Sequence, residues 1–490
     1  MSAELNKVKD FEEKGFVPVN RPDLKPYKMT IPFNWDMNPY EDSNWRFQLH
    51  TLRYLTIYMG AFKQSKEEKY IYKMLEWIED WYNFCQNNEV EYAWHDMATG
   101  IRAEKIYLLV KMCDDYSIPK PKFIYNLINT HLSVMMEGEF FRSNHNHGLY
   151  VIHGIRCLAE LIDDNDYILK YCELGWNEIL DNQLDENYIH KEHSPHYHFL
   201  FVETLERYIK TGFYKDFSKM HTYLKEAEKN CSFLRLPDGR ELPFGDTDNA
   251  LPSEDASRYE LNNNDKLSLS GYFVFKNIQD LTYLALTNNY HSTIHKHWDN
   301  LSFIFGYKGQ DILMDPGKYK YERSKLRSLV MSSECHNTIN IDGLDWGRSN
   351  LVKDSLKLDS YIKDNGDVLC LSKMSLKTRN NTLLIERKLS FDGSKLIVND
   401  HVDKEGLYRS NFILNRDAKL VSIDKEGVFV FSFKGVKVSF RFFNNFGEVL
   451  IPIVDNTPVS YEYGSYHESL TLFVTFKSTL KTEISIINEN

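Results

Sequence analysis

The stretch GVFVFSFKGVKVSFRFF, residues 427 to 443, decides the architecture of the second half of the chain. After a turn at Lys434-Gly435, apolar and polar residues alternate strictly. The apolar face carries Val436, Val438, Phe440 and Phe442, and the polar face carries Lys437, Ser439 and Arg441. A period of two residues is that of a β-strand with one buried face. The stretch therefore predicts a strand of an antiparallel sheet.

Further strand patterns follow residue 270, and no helical pattern interrupts them. They are LTYLALTN (281–288), LSFIFGY (301–307), HNTINIDG (336–343), SKLIVNDHV (394–402) and SLTLFVTF (469–476). Parallel strands need helical crossovers, so strands without intervening helices pair antiparallel. These segments predict a β-sandwich.

Residues 42 to 230 have apolar residues at helical spacing instead. Three such stripes are Ile71, Leu75, Ile78 and Trp81; Ile106, Leu109, Val110 and Cys113; and Val202, Leu205 and Ile209. Short loops such as YSIPKPKF (116–123) separate the helices, which indicates helical hairpins packed side by side. A polar bridge (251–270) follows, and we predict domains at residues 1–255 and 265–490.

Composition limits the function classes. The chain has 490 residues, a net charge of −11 and 42% hydrophobic residues, which argues against wholesale disorder and against nucleic acid as a partner. The seven cysteines include no C-x-x-C pair and are expected to be free thiols. Residues 1–16 contain no apolar signal core, and no segment approaches ~18 apolar residues. We expect no export signal and no membrane span.

The segment HSTIHKHWDNLSF (291–303) concentrates polar groups in front of an apolar strand. On a strand, His295, His297 and Asp299 would all point the same way. A core does not absorb so many polar groups without partners. This segment therefore predicts contact with a metal, a substrate or both.

Two other segments concentrate histidines at helix starts. SNHNHGLY (143–150) places Asn144, His145, Asn146 and His147 just before a helix that begins near Gly148, and two histidines and two asparagines in four positions exceed what helix capping needs. HKEHSPHYHFL (190–200) surrounds Tyr197 with four histidines, and Pro195 fits the first helical turn. Nearby cations and the helix dipole are expected to lower the pKa of Tyr197 from about 10. A patch of solvated histidines is the alternative interpretation of the second segment.

Two weaker patterns remain. His297, Asp315 and His336 offer a nitrogen and oxygen ligand set for zinc, provided that three strand ends meet. In YAWHDMATGIRAEKI (92–106), Trp94, His95 and Arg102 could line a sugar-binding cleft or form an interhelical contact.

The order of these segments resembles the heparinase II/III-like polysaccharide lyases, which include alginate lyase and heparinase types. In that family the corresponding motifs read roughly NNHG, EQSPxYH, HxHxDxLSF, DPGxYxY and HNTxxxDG. Here they read NHG, EHSPHYH, HKHWDNLSF, DPGKYKY and CHNTINIDG, and PFGDTDN (243–249) is similar to a GDxD turn. The resemblance covers about residues 90 to 345.

The resemblance implies an incomplete (α/α) toroid followed by an antiparallel β-sandwich. It also implies β-elimination at a 4-linked uronic acid, in which the C5 proton is removed and an unsaturated sugar remains. Asn146 and His147 would neutralise the uronate carboxylate. Tyr197 would be the base, the leaving-group acid or both, and His295 its partner.

The resemblance assigns further roles. His297, Asp315 and His336 would hold a structural zinc ion, and Asp299 would orient its neighbours. The expected substrate-binding residues are Trp94, His95, Arg102, His198, Trp298 and Tyr319. Trp298 stands where the family usually has a small residue, which would narrow the cleft.

Alternatives stay open at this point. The chain could be a non-catalytic carbohydrate-binding or assembly protein of a bacterial capsule or exopolysaccharide locus. It could also be a glycoside hydrolase that uses Asp96 and Glu192. The expected partner is an acidic polysaccharide (heparan sulfate, hyaluronan, alginate or a capsule polymer), and a homodimer is one expectation. Family members are usually periplasmic or secreted, whereas this chain shows no leader.

Overall fold

The computed structural model describes residues 3–19, 21, 23–249, 259–342, 344 and 346–487. The chain divides into two compact units. The first comprises residues 1–183 and 204–221, and the second comprises residues 184–203 and 222–490. Residues 251–258 of the predicted bridge (251–270) lie outside the described residues. The predicted domain bounds of 1–255 and 265–490 stay a prediction.

The helices occupy the N-terminal part of the chain, with one short helix later. They are α1 (Ala3–Lys14), α2 (Ser43–His50), α3 (Leu55–Ser65), α4 (Lys69–Asn87), α5 (Asp96–Asp115), α6 (Phe123–Met135), α7 (His147–Ala159), α8 (Asp166–Gln183), α9 (Pro195–Ile209), α10 (Ser218–Lys229) and α11 (Lys325–Met331). Helix α1 precedes the predicted helical region, which was expected to begin near residue 42. Only Val8 and Phe11 of α1 are buried, so its apolar stripe is too sparse to stand out in the sequence.

Helices α5 and α7 pack with their backbones in contact. A Cβ atom on Gly100 would lie 2.3 Å from the carbonyl oxygen of Tyr150, and one on Gly154 would lie 2.7 Å from the carbonyl oxygen of Gly100. Neither position has room for a side chain, so two glycines permit the close approach. Because the helices pack this closely, the first residues of α5 and α7, Asp96 and His147, come together.

The rest of the chain consists mainly of strands. They are β1 (Ser268–Leu269), β2 (Tyr272–Asn277), β3 (Thr282–Thr287), β4 (Ser302–Tyr307), β5 (Gln310–Leu313), β6 (Ile339–Ile341), β7 (Lys357–Ile362), β8 (Val368–Lys377), β9 (Thr382–Phe391), β10 (Lys395–Val402), β11 (Tyr408–Ile413), β12 (Lys419–Ile423), β13 (Phe429–Phe433), β14 (Val436–Phe443), β15 (Val449–Leu450), β16 (Ile453–Val459), β17 (His467–Phe476) and β18 (Thr479–Ile487).

The strands form three antiparallel sheets in the second unit. Their orders are β1-β2-β3-β4-β5, β12-β13-β14-β18-β10-β9-β8-β7 with β15 beside β14, and β16-β17-β11-β6. In β14 the side chains of Val438, Phe440 and Phe442 are buried, as the alternation predicts. One apolar core draws on all three sheets. The predicted order, a helical region followed by an antiparallel β-sandwich, is confirmed.

One strand prediction is wrong. Residues 291–300 form turns and bends, and β4 begins only at Ser302. His295 has a φ of +52°, outside the strand region. Strand alternation therefore does not orient His295 and His297, and the contacts of a loop orient them instead.

The cysteines and the helix lengths complete the fold. All seven cysteines are free, and all except the half-buried Cys85 are buried. Of the helices in the described ranges, none is both long enough and apolar enough to cross a bilayer.

Candidate active site

Tyr197 and His295 lie ring on ring in the second unit. Tyr197 is in the first turn of α9, which begins at Pro195 as predicted. The two ring centroids are 3.7 Å apart and the rings are inclined by 17°. The Tyr197 hydroxyl lies 2.9 Å from the hydroxyl of Tyr321. The structure thus brings together two of the four residues that the sequence proposes for catalysis.

Asp246 ties His295 to His297. Its Oδ2 lies 2.8 Å from Nδ1 of His295, and its Oδ1 lies 3.0 Å from Nε2 of His297. The guanidinium of Arg327 lies 2.6 Å from the same Oδ1. Sequence reasoning missed both Asp246 and Arg327, although the GDxD turn was a signal for Asp246.

Gly245 allows this turn to approach the histidine loop. Its φ is +58°, and a Cβ atom would lie 2.5 Å from the carbonyl oxygen of His193 and 2.7 Å from that of His295. Both the backbone angle and the lack of space favour glycine. Gly245 therefore positions Asp246 beneath His295.

Burial changes the pKa values of the stacked pair in opposite directions. Burial raises the pKa of Tyr197 well above its usual value, and the neighbouring Tyr321 and Asp246 raise it further. The expected lowering of the Tyr197 pKa is therefore wrong, because desolvation and negative neighbours outweigh nearby cations. Burial lowers the pKa of His295, and the hydrogen bond to Asp246 offsets only part of the effect. Both side chains are neutral near pH 7.

His193 holds the loop that carries His295. Its Nδ1 donates to the carbonyl oxygen of Ile294 at 3.0 Å, and its Nε2 accepts from the backbone N–H of His291 at 2.7 Å. Burial, with the charge of Lys296, lowers the pKa of His193 to about 3. A neutral imidazole can donate with one nitrogen and accept with the other, so His193 fits this place.

His297, Asp315 and His336 also come together, as the sequence predicts if strand ends meet. Nδ1 of His297 lies 3.3 Å from Nε2 of His336, which lies 3.8 Å from Oδ2 of Asp315. One ligand atom from each of the three residues lies within 4.8 Å of the others, and all three residues are buried. We call these residues the buried triad.

The hydrogen bonds of the buried triad leave its facing atoms available. His297 uses Nε2 for Asp246, and His336 uses Nδ1 for the carbonyl oxygen of Ser332 at 2.7 Å. Oδ2 of Asp315 accepts no hydrogen bond from the residues that the structure describes. Two imidazole nitrogens and one carboxylate oxygen therefore face one another, a donor set that fits a small divalent cation such as zinc.

Asn337 explains why the strand ends meet. Its Nδ2 donates to the carbonyl oxygens of Phe303 and Met314, both at 2.8 Å. Its Oδ1 accepts from the backbone N–H of Ile413 at 2.6 Å. One buried amide thus links β4, the segment after β5, and β11 next to the buried triad.

Asp299 lies beside the buried triad and pairs with Lys296. Both side chains are buried. Burial alone would raise the Asp299 pKa, but the charges of Lys296, His336 and His297 outweigh it and lower that pKa. Asp299 thus occupies the neighbouring place that the sequence suggested.

A second cluster forms in the helical unit around Asp96. Its Oδ1 lies 2.8 Å from Nδ1 of His147 and 3.3 Å from Nδ1 of His95, and its Oδ2 lies 2.8 Å from the Arg142 guanidinium. Burial would raise the Asp96 pKa, but the hydrogen bond and charge of His147 and the charge of His95 lower it well below its usual value. Asp96 is thus a buried anion that orients cationic and imidazole groups.

Asn146 immediately precedes α7 and is 6% exposed. It occupies the N-cap position, but its side chain makes no capping hydrogen bond. The capping interpretation of this segment therefore does not describe the Asn146 side chain. The His147 side chain is 23% exposed and that of Asp96 is 9% exposed, so His147 is the more accessible of the two.

Arg102 and His198 are placed differently from their predicted substrate-binding roles. Arg102 is fully buried, and its guanidinium donates to His131, to the His50 carbonyl oxygen and to the Ala93 carbonyl oxygen at 2.6–2.9 Å. Burial lowers its pKa to about 9. His198 is 1% exposed and its Nε2 donates to the Ala227 carbonyl oxygen at 3.0 Å. Both residues stabilise helix contacts, the alternative that the sequence left open for Arg102.

The other predicted substrate-binding residues are half-buried. Trp94 packs against Trp81 at 5.8 Å in the helical unit. Trp298 packs against Trp346 at 6.4 Å, and Tyr319 against Tyr466 at 6.0 Å, in the strand-rich unit. Each of them combines a packed face with some exposed surface.

Comparisons with known proteins agree with this fold. The heparinase II/III N-terminus family matches residues 8–251, and the heparinase II/III-like C-terminal family matches residues 261–487. Between them, the two matches leave only short segments of the chain uncovered. The chain belongs to the heparinase II/III-like family.

Individual relatives are distant. A heparin-sulfate lyase of Pedobacter heparinus is 20% identical over 72% of this chain and 60% of its own length. One of Bacteroides thetaiotaomicron is 24% identical over 68% of this chain and 57% of its own length. A crystal structure of heparinase III superposes with a TM-score of 0.80 at 18% identity, covering 100% of this chain and 86% of that one. The chain therefore spans about three fifths of the length of these curated relatives and shares the heparinase III fold.

Proposed function

We propose that this protein is a polysaccharide lyase that cleaves an acidic polysaccharide by β-elimination at a 4-linked uronic acid. The observation that carries the proposal is the stacked pair of Tyr197 and His295, whose pKa shifts leave a proton donor beside a proton acceptor. β-Elimination needs both, one for the C5 proton and one for the leaving oxygen. Membership of the heparinase II/III-like family supports the same reaction.

The geometry favours a division of roles between the two side chains. His295 donates Nδ1–H to Asp246, so its Nε2, which lies 3.6 Å from Oε2 of Glu192, is proposed to accept the C5 proton. Tyr197 keeps its proton because its pKa is raised, and that proton passes to the C4 oxygen as the C4–O bond breaks. The electron pair of the C5–H bond becomes the C4–C5 double bond. Tyr197 then regains a proton, and His295 releases one.

Asn146 and His147 are proposed to hold the uronate carboxylate. The C5 proton next to a carboxylate is only weakly acidic until the charge of that carboxylate is neutralised. Hydrogen-bond donors lower the activation barrier when their bonds to the carboxylate strengthen as negative charge develops in the transition state. Asp96 accepts Nδ1–H of His147, which leaves His147 Nε2 for the substrate. The exposed Arg142 adds positive charge to the same cluster, whereas burial lowers the pKa of His95.

We further propose that the buried triad binds one structural zinc ion. The donor set of two imidazoles and one carboxylate suits zinc, and the remaining nitrogen of each histidine is already hydrogen-bonded. Elemental analysis of the purified protein should find one zinc per chain, lost in His297→Ala and retained in His401→Ala, whose histidine lies on the exposed side of β10. A wild-type protein without bound metal would contradict the zinc site.

The substrate class is proposed from the relatives, which are named heparin-sulfate lyases. Heparan-type polysaccharides are therefore the first to test, followed by hyaluronan, alginate and capsule polymers. The measurement is the ultraviolet absorbance of the new C4–C5 double bond conjugated with the carboxylate. A rise with one or more uronate polymers, absent in Tyr197→Phe, is the expected result.

The same assay separates the alternatives. New reducing ends without the ultraviolet band would indicate a hydrolase, and binding without product would indicate a carbohydrate-binding protein. The hydrolase alternative also needs a carboxylic acid that donates a proton. Asp96 cannot take that role near pH 7, because its pKa lies well below its usual value and its oxygens accept from His147 and Arg142.

A further inference from the structure

The helical unit contains a cavity of about 580 Å³ that has no part in the proposed reaction. Its walls come from α1, from the segment that follows it, from one residue of α2, from residues 53–57, and from single residues of α5 and α9; the segment after α1 contributes Gly15, Phe16, Val17, Val19 and Pro26. Ligand pockets in proteins commonly have volumes of about 300 to 1,000 Å³. The cavity is therefore large enough for a molecule of the size of a sugar phosphate.

Arg53, Lys105 and Arg207 line this cavity, together with two lysines that are paired with carboxylates. The charge of Arg207 lowers the pKa of both Arg53 and Lys105, in addition to the larger effect of burial. Glu104 is the carboxylate that acts on all three, and it lies 3.4 Å from Lys105. Three positive groups and one carboxylate leave a net charge of +2, within a chain whose net charge is −11.

The cationic side chains at the cavity differ in whether a carboxylate forms an ion pair with them. Lys7 and Lys14 also line it, but they pair with Glu4 and Asp10, each at 2.7 Å. The guanidinium of Arg53 has neither a hydrogen bond nor an ion pair with any residue in the described ranges, although Arg53 is half-buried. A half-buried guanidinium that has no ion pair of its own and lies near two other cations is costly to desolvate. A bound anion would remove that cost.

Apolar and aromatic side chains form another part of the cavity lining. They are Phe11, Phe16, Tyr54 and Ile57. Gln48 fixes the neighbouring segment, since its side chain accepts from the backbone N–H of Val19 at 2.7 Å and donates to its carbonyl oxygen at 3.0 Å. An apolar lining next to a cationic group suits an organic anion better than a free ion.

The cavity is separate from the Asp96 cluster. Lys105 follows Asp96 by nine residues on α5, which corresponds to about 13 Å along the helix axis. None of the residues around Asp96 described above lines the cavity. An anion could therefore bind at this cavity without occupying His147.

We propose that the cavity lined by Arg53, Lys105 and Arg207 is a second binding site, for a small organic dianion such as a sugar phosphate or a sugar sulfate. The guanidinium groups would bind the oxyanion through paired, charge-assisted hydrogen bonds. The apolar side chains would pack against the sugar ring. The net charge of +2 matches a divalent oxyanion. This inference does not depend on the proposed lyase reaction.

Isothermal titration calorimetry at constant ionic strength tests the site with glucose 6-phosphate, inorganic phosphate, inorganic sulfate and glucose. Glucose 6-phosphate should bind saturably to one site, the two inorganic dianions more weakly, and glucose not at all. Arg53→Gln and Arg207→Gln should each weaken binding by about 10-fold or more, the usual effect of losing a charged hydrogen bond. Both variants should keep the wild-type rate on the polysaccharide.

The matched control is Lys63→Gln, which removes one exposed charge from α3 outside the cavity and should leave binding unchanged. Arg207 is exposed, so Arg207→Gln remains informative if Arg53→Gln does not fold. Absence of saturable binding by every dianion would overturn the proposal, and so would equal affinities of wild type and both variants. Equal affinity for inorganic phosphate and glucose 6-phosphate would remove the sugar from the proposal.

Discussion

At the scale of single residues, the Tyr197 hydroxyl is the group whose removal tests the reaction most directly. Tyr197→Phe keeps the ring that stacks on His295 and loses the proton donor and the contact with Tyr321. We expect the rate constant to fall by at least ~100-fold, the scale of a positioned acid or base, while the fold survives. Rates from the ultraviolet assay and a thermal melt measure both effects.

Tyr361→Phe is the control, because it removes a phenolic hydroxyl from an exposed position on β7. It should behave as wild type. A Tyr197→Phe variant that retains most of the wild-type rate would show that the proton for the leaving group comes from elsewhere.

Asp96 gives a second test at this scale, because it acts through His147. Asp96→Asn removes the charge that accepts Nδ1–H of His147 and pairs with Arg142. We expect a loss of about 10- to 100-fold in kcat/KM, since the hydrogen bond to Asp96 orients the His147 imidazole toward the substrate. Steady-state kinetics of the single and double variants with His147→Ala measure the coupling.

If Asp96 works through His147, Asp96→Asn should add little to the loss caused by His147→Ala. If the losses in kcat/KM of the two single variants multiply in the double variant, Asp96 and His147 act independently. Asp115→Asn, an exposed carboxylate at the end of the same helix, should leave the kinetics unchanged.

The sequence motifs predicted which residues lie at the site, but they did not predict how deeply each of those residues is buried. Tyr197, His295 and the buried triad come together as expected, because motif order places them at the ends of predictable elements. Arg102 lies in an equally suggestive motif but is fully buried. Burial depends on contacts between distant segments, which spacing does not contain. For the same reason the direction of the Tyr197 pKa shift was not predictable.

At the scale of elements, Asn337 is the side chain that holds the most strand ends. Asn337→Ala would leave two buried carbonyl oxygens and one buried N–H without their partner. An unsatisfied buried group costs about 1–3 kcal/mol, so we expect a loss of about 3 kcal/mol or more in the free energy of unfolding. Urea unfolding followed by tryptophan fluorescence measures it.

The control for this experiment is Asn380→Ala in the exposed turn between β8 and β9. It should shift the urea midpoint little, since surface substitutions usually change stability by under about 0.5 kcal/mol. Equal midpoints for Asn337→Ala and wild type would mean that other groups hold these strand ends.

The elements themselves were predictable where periodicity is strong. The alternation at 436–443 gives β14, and the stripe from Ile71 to Trp81 gives α4. The strand prediction for residues 291–300 was wrong because histidines at alternating positions give the same pattern as a strand. In the structure, hydrogen bonds with His193 hold this segment as a loop. Those bonds connect residues about a hundred positions apart, a distance that local pattern does not describe.

At the scale of the whole molecule, loss of the proposed zinc should act on stability. Chelation should lower the melting temperature by about 5–10 °C. The reason is that a ligand at 100 times its Kd adds about 2.7 kcal/mol, and each kcal/mol shifts a unit of this size by about 2–4 °C. Calorimetry with and without chelator, followed by zinc re-addition, measures it. An unchanged melting curve in a protein that has lost its metal would contradict a structural role.

Several properties of the whole chain stay predictions. The homodimer, the compartment and the exclusion of nucleic acid rest on composition and family resemblance. Sedimentation at several concentrations would measure the first of these.

Asp246 bonds two histidines with different proposed tasks, one through each carboxylate oxygen. Such a residue is subject to two selective pressures at once. A descendant that abandoned the reaction could drift at His295 and still need Asp246 to hold His297. Among divergent copies of this gene, aspartate at position 246 should therefore outlast histidine at position 295, and its retention alone would be poor evidence that a copy is still an enzyme.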